Sequence, residues 1–142
     1  MKFLDLNHIC VIIKNIEKSK IFYEEFLGLS PHGEIGGWYK VEGNGPTLHL
    51  IEIEDAEIPS EEDMHHYYRH FAFEVPSLNA VSSKALELGL HPFQMDSEGE
   101  EHDIMSTEDD LNFGIKTVFV RDPDNNLWEF VQKGHSWEML WK

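Results

Sequence analysis

Two stretches of this chain copy one another, and each opens on a strand-like run that carries a histidine. His8-Ile9-Cys10-Val11-Ile12-Ile13 leads into a segment closed by Gly28, and His70-Phe71-Ala72-Phe73-Glu74-Val75 leads into one closed by Gly89. The histidine-to-glycine spacings are 20 and 19, so the register holds with one gap. The later halves match too: His49 lies 11 after Trp38, and Glu129 lies 11 after Val118. A repeat of this kind fixes the architecture ahead of any single element. His8, His49, His70 and Glu129 hold matched places in it, which is how a symmetric pair of modules can close four ligands around one metal.

Residues 4–13 read as a strand, and Asn15 as the N-cap of a helix with apolar positions at Ile16, Tyr23, Phe26 and Leu27, ended by Gly28 in the left-handed region. Gly36-Gly37 and Gly43-Asn44-Gly45-Pro46 then punctuate strands at about 38–42 and 47–54. The second copy has Ser77 as cap, Leu78, Val81, Ala85 and Leu88 as the helix stripe, Gly89 as stop, and strands at about 117–121 and 127–132. Two acidic segments, 57–68 and 96–112, read as loops. The tail from His135 to Trp141 is aromatic and is expected to pack on the body or on a second subunit.

Strand side chains alternate between faces. Ile9, Val11 and Ile13, like Phe71, Phe73 and Val75, suit the face under a helix, so His8 and His70 point to the opposite, concave side. Glu129 shares its face with Leu127 and Val131, and a carboxylate there is costly to bury unless it is paired or bound to a metal. His49 sits similarly between Thr47 and Ile51. Three imidazoles and a carboxylate suit Zn, Ni, Mn or Fe. The other histidines, His32, His65, His66, His91, His102 and His135, lack matched places and read as surface residues.

At 142 residues the chain is one domain by size, 1–142, with internal modules at about 2–57 and 66–133 and a tail 134–142. A net charge of −16 leaves no basic patch to release counterions from nucleic acid or an anionic membrane, so neither is expected as a partner. The two arginines, Arg69 and Arg121, offer few bidentate grips for a substrate rich in carboxylate. A single cysteine, Cys10, excludes an intrachain disulfide and a cysteine-rich zinc site. Asp5, Asn7 and His8 interrupt any secretory apolar run, which makes the cytoplasm the simplest expectation.

Taken with the run Arg121-Asp122-Pro123-Asp124-Asn125-Asn126-Leu127-Trp128-Glu129, the duplication resembles the vicinal oxygen chelate superfamily. That family includes glyoxalase I, extradiol dioxygenases, methylmalonyl-CoA epimerase and the fosfomycin and bleomycin resistance proteins. The resemblance runs from about Lys2 to Lys133. It implies an α+β fold in which two tandem βαβββ modules pair into a curved mixed sheet around a metal-binding cavity. It implies a homodimer, a divalent metal, and a small substrate that chelates the metal through adjacent oxygens. His8, His49, His70 and Glu129 fall at the family's four ligand positions. Glyoxalase I enzymes usually place Glu, and the epimerases Gln, where this chain has His49.

Glyoxalase-like lyase or isomerase chemistry is the expectation, with Glu129 and His49 as the catalytic residues and Glu129 shuttling a proton. His8, His70 and Glu129 alone look like an extradiol Fe(II) triad, which is one alternative. A metal-free drug-binding resistance protein is another. Trp38, Tyr39 and Cys10 either line the cavity or fill the core, with the core expected for each; Lys116 and Arg121 are candidate anion contacts, Arg121 otherwise anchoring the Asp-Pro turn.

Overall fold

The first element is set by its alternation: β1 (His8–Ile13) buries Val11 and Ile13 and turns His8, Cys10 and Ile12 outward. A computed structural model of the chain describes residues 1–2, 4–41, 46–60, 69–96, 98–107, 109, 111 and 116–134. Two units result, Met1–Ile58 and Pro59–Lys142.

In the first unit, Asn15 caps α1 (Ile16–Lys20), its side-chain oxygen accepting the Lys18 N–H at 2.9 Å. The helix runs on as a π-helical turn, Ile21–Phe26, and ends at Gly28 with φ +68°. Then follow β2 (Ser30–Pro31), β3 (Trp38–Lys40) and β4 (Thr47–Glu52). The sheet order is β1-β4-β3-β2, with β1 parallel to β4 and the other pairs antiparallel. Val11, Ile13, Leu48, Leu50 and Tyr39 form the buried face with Phe22 and Tyr23 from the helix.

The second unit repeats the plan. It comprises β5 (His70–Val75), α2 (Leu78–Glu87), β6 (Phe93–Met95), β7 (Glu101–Asp103), β8 (Thr117–Arg121) and β9 (Leu127–Gln132). Ser77 caps α2 by accepting the Ala80 N–H at 3.2 Å, and Gly89 stops it at φ +71°. The sheet order is β5-β9-β8-β6-β7, which is the first sheet's order with β7 added at the edge. Trp128 is fully buried and carries Phe73 stacked on it at 5.4 Å between ring centroids.

The protein is thus an α+β fold of two mixed sheets built from tandem βαβββ units. The one-residue gap between the repeats has a structural cause. Cap-to-glycine spacing is 13 residues from Asn15 to Gly28 and 12 from Ser77 to Gly89. A π turn bonds to the fifth residue back and so absorbs one extra residue, as Leu27 N–H to Phe22 O does here at 2.9 Å.

Several boundaries differ from those expected. The strand expected over 4–13 begins only at His8, and those expected over 38–42 and 47–54 end at Lys40 and Glu52. The acidic stretch 96–112 is not all loop: β7 pairs antiparallel with β6, His102 facing Gln94. Asp96 makes the turn between them, accepting the Glu98 and Glu100 N–H groups and pairing with His102 at 3.0 Å. The His102 bond first, and the backbone bonds after it, hold the Asp96 carboxyl below its ordinary range. Gly43-Asn44-Gly45, His65-His66 and the tail from His135 onward lie outside the described residues. Among the described residues no helix is long and apolar enough to cross a membrane.

Candidate metal centre

Each unit presents a pair of the expected donors on the sheet face away from its helix. In the first unit the parallel register sets Cys10 beside His49, and the antiparallel register sets Trp38 opposite His49. The Trp38 indole lies flat on the His49 imidazole, with centroids 4.0 Å apart and planes 9° apart, and meets His8 edge-on at 5.2 Å. Trp38 reaches this place because Gly37 precedes it. Gly37 has φ +85°, its carbonyl accepts the Leu50 N–H at 2.7 Å, and an added Cβ would stand 2.4 Å from the Leu50 carbonyl oxygen. His8 Nδ1 lies 2.8 Å from the Asn7 side-chain oxygen, and His49 Nδ1 lies 3.9 Å from Cys10 Sγ.

In the second unit the same register sets Ala72 beside Glu129 and Phe119 opposite it. The structural partner of Trp38 is therefore Phe119, not Val118 as the sequence spacing has it. Phe119 also meets His70 edge-on, at 5.8 Å. Glu129 is only 3% exposed, and its Oε2 lies 2.8 Å from His70 Nε2. The His70 side chain keeps 29% of its exposure. Phe93, Phe119 and Leu127, with Met95 against them, form an apolar cluster on this face. A carboxylate in such surroundings is costly to bury alone, and the imidazole answers that cost.

The donor set suits a divalent ion. The His70 nitrogen and Glu129 oxygen stand about as far apart as adjacent ligands on an ion with ~2.1 Å bonds. A set of imidazole and carboxylate donors suits Zn, Ni, Mn or Fe(II). Among the described residues no group of three or more His, Cys, Asp or Glu side chains that could hold a metal ion is gathered.

Other expected contacts are placed differently. Arg121 is committed within its own unit: both terminal nitrogens donate to the two Glu101 oxygens, and its guanidinium lies 4.5 Å from the Phe93 ring centre. The Asp-Pro turn is held by Asp122 itself, whose Oδ1 accepts the Asp124 and Asn126 N–H groups and whose Oδ2 accepts the Asn126 side-chain amide. Tyr39 faces the core and donates to Glu24 at 2.8 Å. Trp38, expected in the core, instead touches both histidines of its unit. Sequence reasoning also gave Asn7 no role. Position directly before His8 was the available signal, but hydrogen-bond contact depends on rotamer and could not be read from order alone.

Comparisons with known proteins agree with this fold. The family model described as "Glyoxalase/Bleomycin resistance protein/Dioxygenase superfamily" matches residues 5–130. A curated relative from Arabidopsis thaliana, "Glyoxylase I 4", is 27% identical over 131 residues, covering 87% of this chain and 68% of the relative. Among solved structures, a glyoxalase family protein from Enterococcus faecalis superposes with a TM-score of 0.64 at 20% identity, over 92% of this chain and 98% of that one. One titled "Oxidase ChaP-H2" superposes with a TM-score of 0.65 at 21% identity, over 94% and 97%. At these identities the solved structures speak to the fold alone.

Proposed function

The chain belongs to the glyoxalase/bleomycin resistance protein/dioxygenase superfamily, and on that footing we propose that it is a metal-dependent enzyme with glyoxalase-like lyase or isomerase activity. Its substrate is a small molecule offering two adjacent oxygens to the metal. The observation that carries this reading is the buried Glu129 carboxylate held 2.8 Å from His70, in register with His49 and His8 of the other repeat. A purely structural sheet gains nothing from an acid at that depth.

His8, His49, His70 and Glu129 are the residues that would hold the ion, which supplies Lewis-acid polarisation of the substrate oxygens when bound. Glu129 takes a proton from the carbon beside those oxygens and returns it to the neighbouring carbon. Glu129 is 3% exposed, so little water reaches the carboxylate. His49, half-buried under Trp38, is the second group able to accept or donate a proton. A homodimer is part of the same proposal.

A second reading follows from the donor types. His8, His70 and Glu129 would make a two-histidine, one-carboxylate set of the kind that binds Fe(II) in oxygenases. Elemental analysis of untagged protein, beside a His8→Ala/Glu129→Ala variant, separates the cases. Stoichiometric Zn, Ni or Mn that disappears in the variant supports the lyase or isomerase. Iron lost in the same way moves the assignment to ring-cleaving dioxygenase. Absence of metal from both, even after reconstitution, defeats both and leaves a small-molecule binding protein.

A further inference from the structure

The first unit's histidines are each held by a neighbour that takes no donor place itself. Asn7 offers a carboxamide oxygen 2.8 Å from His8 Nδ1, an arrangement that favours the Nδ1–H tautomer, with the lone pair on Nε2. Trp38 covers one whole face of His49 at 4.0 Å and 9°, which fixes the plane of that ring. Cys10 Sγ lies on the Nδ1 side of the same ring, at 3.9 Å. The edge of Trp38 against His8, at 5.2 Å, links the two rings through one indole. The second unit is arranged differently. There Arg69 stands in Asn7's place, Glu129 bonds His70 Nε2 directly, and Phe119 meets the His70 ring edge-on.

We propose that Asn7 and Trp38 are positioning residues that present Nε2 of His8 and Nε2 of His49 as donor atoms, Asn7 by fixing the tautomer and Trp38 by fixing the ring plane. This rests on the reading of His8 and His49 as metal ligands. Partners that hold the far side of a ligating imidazole change metal affinity by about 10- to 100-fold when removed, without touching the metal. Backbone geometry favours Trp38 in this part: Gly37 can approach the Leu50 carbonyl only because it lacks a Cβ, and that approach sets β3 in the register that stacks the indole.

The test uses the full chain and cobalt(II) as the probe. Cobalt affinity is measured by visible absorption for wild type, Asn7→Ala, Trp38→Leu, Trp38→Phe and His49→Ala. Ring nitrogen and carbon-bound proton shifts of His8 and His49 are recorded by NMR on the metal-free proteins, and circular dichroism monitors the fold. We expect wild-type His8 to be the Nδ1–H tautomer and His49 protons to carry an upfield ring-current shift. Asn7→Ala should lose the tautomer preference, Trp38→Leu the ring-current shift, and each should weaken cobalt about tenfold or more. Trp38→Phe should restore most of that loss, since a smaller ring still stacks. Unchanged cobalt affinity in both Asn7→Ala and Trp38→Leu, with His49→Ala strongly weakened, would overturn the proposal and leave the metal assignment standing. Unchanged affinity in His49→Ala would overturn the assignment of His49 as a ligand, and the positioning role with it.

Discussion

Glu129 shows how much one residue can declare. A carboxylate flanked along its strand by Leu127 and Val131 must be paired, and its partner is His70 at 2.8 Å. Glu129→Gln keeps an oxygen able to pair with the imidazole and nearly the same volume. It is therefore expected to melt within a few degrees of wild type, a change of about 1 kcal/mol, while losing bound metal. Parallel thermal unfolding and metal analysis check this; a large drop in melting temperature would mean that the charge itself holds the sheet. Gly37 makes the opposite kind of case, a residue that matters for what it lacks. With φ +85° and the Leu50 oxygen 2.4 Å from a Cβ's place, Gly37→Ala is expected to cost about 2–4 kcal/mol. Urea unfolding reads that cost, and a loss under about 1 kcal/mol would show that β3 can shift freely.

Elements explain where reading the sequence succeeded and where it stopped. Caps and stops were legible because they are local: Asn15, Ser77, Gly28 and Gly89 do in the structure what their chemistry demands within a few bonds. The outward turn of His8 and His70 was legible because alternation along a strand is also local. Register was not. Whether Val118 or Phe119 stands opposite Glu129 is settled by hydrogen bonds from another strand, and the choice moves a side chain to the other face. The strand β7 hid in an acidic run because its pairing with β6 is edge pairing and needs no apolar alternation; all three of its residues are exposed. The π turn showed only as a gap. It is also tied to the sheet, through the Tyr39 hydroxyl donating to Glu24. Burial, then the Glu24 bond, raises the Tyr39 pKa above its ordinary value near 10. A phenol that ionises later in the folded chain than in the unfolded one stabilises the fold fully below about pH 10, and that contribution fades as pH rises beyond it. Urea unfolding at increasing alkaline pH should show wild type losing stability faster than Tyr39→Phe. Equal slopes would mean that the hydroxyl is not held as the structure has it.

At the scale of the whole molecule, charge limits what can approach the site. Acidic residues outnumber Lys and Arg by 27 to 11, giving −16. The guanidinium of Arg121 is already matched by Glu101, which leaves Arg69 as the other arginine in the chain. A substrate carrying several carboxylates, such as a glutathione hemithioacetal, meets a repulsive field with Arg69 as the one further guanidinium to offset it. A hemithioacetal of a neutral thiol meets no such penalty. Long-range repulsion between exposed charges is screened by salt, with a Debye length of about 30 Å at 0.01 M and about 3 Å at 1 M. Turnover or binding of the glutathione adduct should therefore improve as salt rises across that range, while the neutral adduct changes little. The two adducts compared at both salt levels, on metal-loaded protein, make the measurement. Tight glutathione-adduct binding that weakens with salt would reveal a cationic contact that the net charge conceals, and would return glutathione to the list of substrates. Salt-insensitive behaviour for both would place the site where the molecule's overall field does not reach.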